Sequence, residues 1–339
     1  MAQTRGVEPC KPVSWEKPVL SFPPSASAPW ACPISTARPT KPRAAPTIDA
    51  ALEAGVTLID TGDFYGMGHN EMLIGETLKA SSKRDKTILS VKYGGLRDPA
   101  GHFLGFATNR AETRSALAYT LKRLRVDYID IYRPARVSPL VPIEDTIGAI
   151  AELVKEGYIR HIGLSEAGAD TIRRAHKVHP IVDLQIEYAM ISRGVEQKIL
   201  PVLRELGIGM TAYGVLSRGL ISESALAGGS IGGFRAHSPR FQGDNLNKNL
   251  ELVRALKAIA DDKRCSVAQL AIAWVLQRGD DIVPLVGARK RERLSESLGA
   301  LDIKLTPAEL TRIDAAAPPE AVAGSRYAPE QMAFLDSER

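Results

Sequence analysis

Three side chains that can take part in proton chemistry stand at or just beyond the ends of predicted strands. Asp60 ends one apolar run, Tyr65 lies in the turn after it, and Lys92 ends the next apolar run. A lysine ammonium and an aspartate beside a tyrosine hydroxyl help to stabilise tyrosinate, which predicts a lowered tyrosine pKa. Such a tyrosine can act as a general acid toward a carbonyl oxygen near neutral pH. The alternative is a tyrosine in a turn beside a surface ion pair.

The elements that must position these residues alternate along the chain from residue 47. Short apolar or β-branched runs alternate with amphipathic stretches, a pattern typical of parallel α/β architecture. The predicted strands are Val56–Asp60, Thr87–Lys92, Tyr128–Tyr132, Ile159–Ser165, Val182–Glu187, Ile208–Tyr213 and Ile282–Val286. The predicted helices lie at 47–54, 70–81, 109–124, 144–156, 168–177, 195–206, 247–278 with a break near Cys265, 290–299 and 306–316.

This alternation predicts an α/β fold of the (β/α)8 TIM-barrel type, in which the carboxyl ends of the strands face the active site. Seven strands are visible and a closed barrel needs eight, so the first strand must precede residue 47. Only Pro18–Phe22 reads as a short strand there. We predict a barrel at 47–317 and a C-terminal tail at 318–339, with a first strand that is short, missing or garbled within residues 1–46.

Residues 1–46 differ in composition from the rest of the chain. They hold 10 of the 22 prolines, two of the three cysteines and two of the three tryptophans. Prolines remove backbone donors that a sheet needs, so the composition favours a disordered tail. A transit peptide is the alternative because the segment is poor in acids, although its prolines oppose the amphipathic helix of such peptides.

Charge and hydropathy exclude several classes of protein. The formal net charge is +5, and residues 1–46 account for +4 of it. The body is nearly neutral, so its charge does not predict nucleic-acid binding. No stretch approaches about 18 consecutive apolar residues, so no membrane-spanning helix is predicted. The three cysteines give no zinc spacing and no disulfide framework, which favours a reducing compartment. A cytoplasmic location is the default expectation, because no convincing targeting signal is found.

The residues around the predicted proton donor form a longer motif. Residues 55–78 read GVTLIDTGDFYGMGHNEMLIGETL. This stretch resembles the aldo-keto reductase family, in which D-T-x-x-x-Y-G-x-G-x-N-E follows the second strand. The resemblance covers about residues 47–315 and continues, in the family's order, through Ser90–Gly94, Val141–Thr146, Gly157–Ser165, Gln185–Tyr188, Ala212–Gly219 and Pro284–Arg289. It implies a (β/α)8 barrel that transfers a hydride between NAD(P)H and a carbonyl group.

The resemblance also implies roles for the residues at the catalytic end of the site. Tyr65 is expected to donate the proton, with Asp60 and Lys92 supporting it. The residues expected to meet the nicotinamide are Ser165 and Gln185 on its carboxamide, Glu166 beside them, and Tyr213 stacked on its ring.

The rest of the cofactor is expected to lie on the loop Val215–Gly219 and on the last strand and helix. The loop, which includes Leu216, is expected to cover the pyrophosphate, with Arg218 as a charge partner. Two guanidiniums at a helix start make a strong phosphate site, which favours NADPH over NADH. The residues assigned to the adenosine end are Arg289 and Arg293 at the 2′-phosphate, Glu296 at the adenine, and Ser297 where asparagine is usual. Gly287, at the end of the last strand, is also expected to bind the cofactor. The alternative for residues 289–293 is a solvated helix face.

The fourth strand of the family's pattern departs from the family in this chain. Many members end it with D-L-Y-x-x-H-R, whereas this chain has Ala135 in the histidine position. An alanine cannot orient a carbonyl oxygen, and it leaves a larger, less polar site beside Tyr65. The pyridoxal reductase branch resembles this chain here, so an alanine is compatible with activity. Because the site is larger and less polar, we expect a bulky or self-orienting aldehyde or ketone. Arg133 or Arg136 is a candidate to orient an anionic substrate; the alternative is pairing with a buried carboxylate.

The second departure is the N-terminal segment. Relatives carry a Gly-rich first strand that often ends like G-C-M-G-M-S-D-F-Y-G-P-T-D-E. The codons for residues 30–41 permit M-G-M-S-D-F-Y-G-P-T-D-E when read one base earlier. We therefore hypothesise that residues from about 23 to 46 are a frame-shifted reading of the first strand and its loop. A barrel without that strand would have two open edges with unpaired backbone groups.

The function expected from these residues is NADPH-dependent reduction of a small-molecule aldehyde or ketone. A pyridoxal reductase is an alternative of the same class. A cofactor-binding regulatory subunit and the inactive product of a damaged gene are alternatives of other classes. The sequence predicts neither the physiological carbonyl nor the oligomeric state.

Overall fold

Eight parallel strands close into a barrel in the computed structural model. The structure describes residues 19–21, 45–107, 109–229 and 231–339, without the side chains of residues 19–21 and 234. The barrel strands are β1 (Val19–Ser21), β2 (Leu58–Gly62), β3 (Ile88–Tyr93), β6 (Ile129–Pro134), β7 (Ile159–Ser165), β8 (Ile181–Glu187), β9 (Gly209–Tyr213) and β10 (Ile282–Gly287). Around the barrel they follow the order β1-β10-β9-β8-β7-β6-β3-β2.

The first strand lies inside the short run that the sequence offered for it. β1 pairs with both β10 and β2, and Ser21 lies opposite Gly287 on one side and Asp60 on the other. The barrel is therefore closed, and the open seven-stranded form is not what the structure has. Residues 22–44, on which most of the frame-shift hypothesis falls, lie outside the described residues.

Helices cover the outside of the barrel, as the alternating pattern predicted. They are α1 (Ala45–Glu53), α2 (His69–Ser81), α3 (Arg110–Leu124), α4 (Ile143–Lys155), α5 (Ala169–Val178), α6 (Val195–Leu206), α7 (Glu223–Leu226), α8 (Gly243–Asp262), α9 (Val267–Leu276), α10 (Arg291–Leu298), α11 (Pro307–Ala316) and α12 (Pro329–Met332). The predicted break near Cys265 is confirmed, because Ser266 forms a capping box with Gln269 and begins α9.

The core has an apolar outer layer and a partly polar interior. The helices bury one face against the strands, which is the arrangement expected of an α/β barrel. Inside the barrel a small apolar cluster is formed by Leu58, Ile131, Val283 and Leu285. Charged side chains are also buried at the carboxyl ends of β2, β3, β6 and β8. Buried charges have to be paired, so this end of the barrel is where chemistry is to be sought.

Two segments that the sequence did not predict cover the carboxyl ends of the strands. β4 (Gly95–Arg97) and β5 (Phe103–Phe106) form an antiparallel hairpin after β3. Residues 323–338, called the C-terminal strap below, cross the same end. Asn249 exchanges two hydrogen bonds of 2.8 and 2.9 Å with the backbone of Ala323. At the far end of the strap, Phe334 packs edge-on against two rings of the hairpin.

Candidate active site

The site is built around a buried ion pair. Adjacent strands β2 and β3 place Asp60 and Lys92 side by side, and the Lys92 Nζ donates a hydrogen bond to Asp60 Oδ1. Ser90 Oγ and Gln185 Nε2 donate to Asp60 Oδ2 over 2.7 and 2.8 Å. The carboxylate of Asp60 thus has a partner on each oxygen, which fixes the ammonium of Lys92 at the carboxyl end of the barrel.

Tyr65 lies in the turn that follows β2, beside this pair. The turn is closed by a hydrogen bond of 3.0 Å from the Tyr65 N–H to the Gly62 carbonyl. The Lys92 Nζ lies 5.1 Å from the centre of the Tyr65 ring. Burial raises the pKa of Tyr65 above its ordinary value, and the charge of Lys92 lowers it only in part. The prediction of a lowered pKa is therefore wrong: the lysine acts in the expected direction, but desolvation of the phenolate outweighs it, and the charge of Asp60 adds to the rise.

The two arginines at the end of β6 have different surroundings. Arg133 is fully buried, with its Nη1 2.5 Å from Asp183 Oδ2 and its Nη2 donating to Ser90 Oγ over 2.7 Å. Of the two predictions for Arg133, pairing with a buried carboxylate is therefore the one that the structure confirms. Arg136 is only partly buried, and its charge acts on Tyr65. Ala135, between the two arginines along the chain, is 1% exposed.

Ser165 and Gln185 lie opposite each other on β7 and β8. The Ser165 Oγ is buried and has no hydrogen-bond partner among the described residues. A buried hydroxyl without a partner costs free energy unless a ligand or a water completes it. Since Gln185 also contacts Asp60, the predicted carboxamide site adjoins the Asp60–Lys92 ion pair.

Glu166 follows β7 and joins several elements. Its φ of 51° is left-handed, a conformation that costs a non-glycine residue about 1–2 kcal/mol. The Tyr213 hydroxyl donates to Glu166 Oε1 over 2.6 Å, and Arg326 donates to both carboxylate oxygens over 3.2 and 2.9 Å. Burial alone would raise the pKa of Glu166, but the charge and hydrogen bonds of Arg326, with the charge of Arg136 and the hydrogen bond from Tyr213, reverse this and lower the pKa to about 2. Glu166 is therefore a fixed negative charge.

The loop Val215–Gly219 turns sharply after β9. Ser217 and Arg218 have left-handed φ values of 47° and 58°. The Ser217 Oγ is buried without a partner among the described residues. Arg218, expected at the pyrophosphate, donates to Glu187 Oε2 over 3.1 Å and to the Arg326 carbonyl over 2.9 Å. Leu216, partly buried, packs against the apolar core.

The residues predicted for the adenosine end form a separate group at the start of α10. Arg289 and Gly287 are exposed, and so is Arg293, whose Nη1 donates to Glu296 Oε2 over 2.6 Å. The Ser297 Oγ donates to the Arg293 carbonyl over 2.8 Å, which directs this hydroxyl back to its own helix. No side chain caps the N-terminus of α10, so its first N–H groups can meet an anion.

The sequence did not predict the contribution of the C-terminal strap to the site. Arg326, Tyr327 and Ser337 all contact residues assigned to the cofactor. The tail has neither a helical nor a strand period, and its residues follow no spacing rule, so no sequence signal pointed to them. The role of Ser90 was also missed, although it lies in the motif that contains Lys92.

Asp63, in the turn between Gly62 and Tyr65, has a strongly shifted pKa. Burial raises it from an ordinary value of 3.8 to about 6, and the hydrogen bond from the Gly94 N–H opposes this rise only in part. The folded protein therefore holds this proton more tightly than the unfolded chain. The contribution of the protonated Asp63 carboxyl to the free energy of unfolding is full below about pH 4 and is lost as pH rises through about 6.

Replacing Asp63 with asparagine should remove this loss while keeping an acceptor for the Gly94 N–H. At about pH 8 the free energy of unfolding should exceed the wild-type value, with an upper limit on the order of 3 kcal/mol. The difference should vanish near pH 4. Urea unfolding across this range checks it, with Asp170→Asn at an exposed position as the control. A difference that does not change with pH would contradict the assignment.

Comparisons with known proteins identify the class to which this barrel and site belong. The sequence profile of the Aldo/keto reductase family matches residues 29–318. The chain therefore belongs to the aldo/keto reductase family and is an oxidoreductase, as the motifs implied. It is 42% identical over 290 residues to Probable aldo-keto reductase 1 from Glycine max, over 83% of this chain and 81% of that protein.

Solved structures agree with this assignment. Glycerol dehydrogenase AKR11B4 from Gluconobacter oxydans is 28% identical and has a TM-score of 0.74, over 81% of this chain and 86% of that one. An aldo/keto reductase from Klebsiella pneumoniae in complex with NADP and acetate is 23% identical, with a TM-score of 0.68 over 89% and 91% of the two chains. The second likeness shows the fold alone.

Within the part of the chain that the structure describes, no group of three or more histidine, cysteine or acidic side chains is placed to hold a metal ion. Among the helices of the same residues, none combines the length and the apolarity that crossing a membrane requires.

Proposed function

We propose that the protein reduces the carbonyl group of a small molecule to an alcohol with NADPH as the hydride source. The observation that carries the proposal is the buried Asp60–Lys92 pair beside the hydroxyl-bearing side chain of Tyr65. An ion pair buried at the carboxyl end of a barrel strand is costly, and in this fold that end is where catalysis takes place.

The polar atoms without partners support the cofactor. Ser165 Oγ fits a carboxamide next to Gln185, and Ser217 Oγ lies in the loop proposed to cover the pyrophosphate. The uncapped start of α10, with exposed Arg289 and Arg293, fits the 2′-phosphate. When bound, the reduced nicotinamide supplies the hydride that reaches the carbonyl carbon.

The residues of the chain then have to manage one proton. We propose that Tyr65 donates its hydroxyl proton to the carbonyl oxygen as negative charge develops there. Lys92, whose charge lowers the pKa of Tyr65, stabilises the resulting phenolate. Asp60 holds Lys92 in place, and Ser90 and Gln185 hold Asp60. The raised pKa keeps Tyr65 protonated between turnovers, so it is ready to donate at neutral pH.

The substrate is proposed to be a small-molecule aldehyde or ketone. The proposed reaction involves neither nucleic acid nor a membrane, and its proposed location is the cytoplasm. Ala135 offers no hydrogen-bond donor to the carbonyl oxygen, which leaves Tyr65 to orient it. Reduction of pyridoxal remains the more specific proposal that Ala135 suggests. A regulatory subunit without turnover is less well supported, because Asp60, Tyr65 and Lys92 are all in place.

Titration of the purified chain with NADPH, followed by the quenching of tryptophan fluorescence, tests the proposal directly. Saturable binding in the micromolar range is expected, followed by NADPH oxidation that depends on an added aldehyde. Binding without oxidation across a panel of carbonyls that includes pyridoxal would favour the regulatory subunit. No binding at all would contradict the proposed cofactor.

Replacing Arg293 with alanine should weaken NADPH binding much more than NADH binding. A charge-assisted hydrogen bond to the 2′-phosphate contributes about 1.5–3 kcal/mol, which is at least a tenfold change in Kd. The measurement is the Kd of both cofactors for the wild type and the variant. Arg254→Ala, an exposed arginine on α8 that also pairs with a glutamate three residues away, is the matched control. Equal loss for the two cofactors would indicate a structural role for Arg293.

A further inference from the structure

The C-terminal strap contacts the residues proposed to hold the nicotinamide half of the cofactor. Arg326 pairs with Glu166, and the Tyr327 hydroxyl lies 2.8 Å from the Tyr213 hydroxyl. The backbone carbonyl of Arg326 accepts a hydrogen bond from Arg218. These contacts all lie at the nicotinamide half of the proposed site, and none of them involves α10, where the adenosine half is proposed to lie.

The contacts between Glu166 and the strap are made by buried or nearly buried side chains. The side chain of Glu166 is completely buried, and that of Arg326 is 12% exposed. Ser337 donates to Glu166 twice, from its Oγ to Oε2 over 2.7 Å and from its backbone N–H to the carbonyl oxygen over 3.0 Å. Two residues of the strap that are 11 positions apart therefore converge on one carboxylate.

Glu166 in turn fixes Tyr213. Its Oε1 accepts the phenolic hydrogen bond of Tyr213, and the Glu187 N–H donates to the same oxygen over 3.0 Å. The side chain of Tyr213 can rotate about its χ angles, so a hydrogen bond at its hydroxyl determines where the ring lies. The hydroxyl of Tyr213 is held from two sides, by Glu166 and by Tyr327 of the strap.

We propose that Arg326 is a positioning residue for the nicotinamide: through Glu166 it holds Tyr213 in the orientation that stacks on the ring. This inference rests on the proposed function, which places the nicotinamide at Tyr213. Arg326 touches neither substrate nor cofactor in this account. Its action is to keep the carboxylate of Glu166 charged and fixed, so that the ring of Tyr213 is in place before the cofactor arrives.

The physical reason is the cost of a poorly compensated buried charge. Without Arg326, the carboxylate of Glu166 would lose its charged hydrogen-bond donor and keep neutral donors together with the charge of Arg136. A buried carboxylate with a weakened counter-charge takes up a proton more readily or moves toward water. In both cases it stops being the acceptor that defines the position of the Tyr213 hydroxyl.

The test compares two ligands that differ in the nicotinamide half. NADPH contains it, whereas adenosine 2′,5′-bisphosphate carries the 2′-phosphate and the adenine alone. Arg326→Met should raise the Kd of NADPH by about tenfold or more, the factor expected when a hydrogen-bonded charge is lost. The Kd of adenosine 2′,5′-bisphosphate should stay within about twofold of wild type. Calorimetric titration measures both without turnover.

Three companion variants make the result specific. Arg326→Lys keeps the charge and should recover part of the NADPH affinity. Tyr213→Phe should weaken NADPH by itself, and adding Arg326→Met to it should weaken binding little further, because residues that act through one contact are not additive. Arg312→Met, which breaks an exposed ion pair on α11, should behave as wild type.

The outcomes separate this inference from the proposed function. Wild-type chain that does not bind NADPH would overturn both. Wild-type binding together with unchanged binding by Arg326→Met would overturn the positioning role alone, as would equal loss of the two ligands with an unchanged thermal melt. If Arg326→Met does not fold, Tyr327→Phe removes one hydroxyl contact of Tyr213. That variant should weaken NADPH severalfold and adenosine 2′,5′-bisphosphate not at all, and any other pattern would contradict the proposal.

Discussion

Replacing Tyr65 with phenylalanine should lower the rate of carbonyl reduction by about 10²–10⁴-fold while leaving NADPH binding unchanged. The variant keeps the ring, and with it the packing of Phe64 against the edge of that ring at 4.8 Å between centroids. It removes the proton that we propose neutralises the developing alkoxide. Single-turnover oxidation of bound NADPH by an aldehyde measures the chemical step, and fluorescence titration measures binding.

Tyr119 offers the matched control, because it is an exposed tyrosine on α3. Tyr119→Phe should leave both rate and binding as in the wild type. Unchanged turnover in Tyr65→Phe would contradict the proton-donor assignment. A parallel loss of NADPH binding would mean that the hydroxyl holds the site together instead.

The second large effect is expected on stability, at the buried pair inside the barrel. Arg133→Met leaves Asp183 without its counter-charge, with only Thr211 as a side-chain donor over 2.6 Å. Breaking a fully buried pair on one side costs about 3–5 kcal/mol of unfolding free energy. Burial already raises the pKa of Asp183 against the opposing charge of Arg133. In the variant the loss should therefore shrink as pH falls and the carboxyl takes up a proton.

A double variant separates charge from packing at this position. Arg133→Met combined with Asp183→Asn removes both charges and keeps an acceptor for Thr211, so it should be clearly more stable than Arg133→Met at neutral pH. Arg173→Met, which breaks an exposed pair with Glu205, should cost less than about 1 kcal/mol. Urea unfolding gives all three values. Equal stability of the single and double variants would show that lost packing, and not the uncompensated charge, sets the effect.

The regular elements could be predicted because each carries a local signal. The strand Ile159–Ser165 has the bounds that its β-branched run indicates. The helix after Thr306 begins where a capping residue precedes a proline. The break near Cys265 follows from the capping box at Ser266. Such patterns depend on residues that are neighbours in sequence, so they can be recognised without knowledge of the fold.

What could not be predicted depends on neighbours in space. The direction of the Tyr65 pKa shift is set by burial, and burial is decided by segments far along the chain. The same reason separates Arg133, buried against Asp183, from Arg136, which is three residues further on. The strap is the clearest case, because Arg326 meets Glu166 across 160 positions of sequence. The roles of the cofactor residues themselves came from the family resemblance and stay proposals.

The short first strand has a consequence for how the molecule opens. β1 is three residues long, whereas its neighbour β2 pairs with β3 over five. Partial unfolding begins where few hydrogen bonds have to be broken. Among the described residues β1 pairs over three positions on each side, so the seam between β10 and β2 is one of the barrel's less costly lines of separation. That seam runs between Gly287 and Asp60, which belong to the proposed cofactor site and the proposed catalytic site. A ligand that contacts both sites would hold the two sides of this seam together. Occupancy of these sites would then make the barrel harder to open.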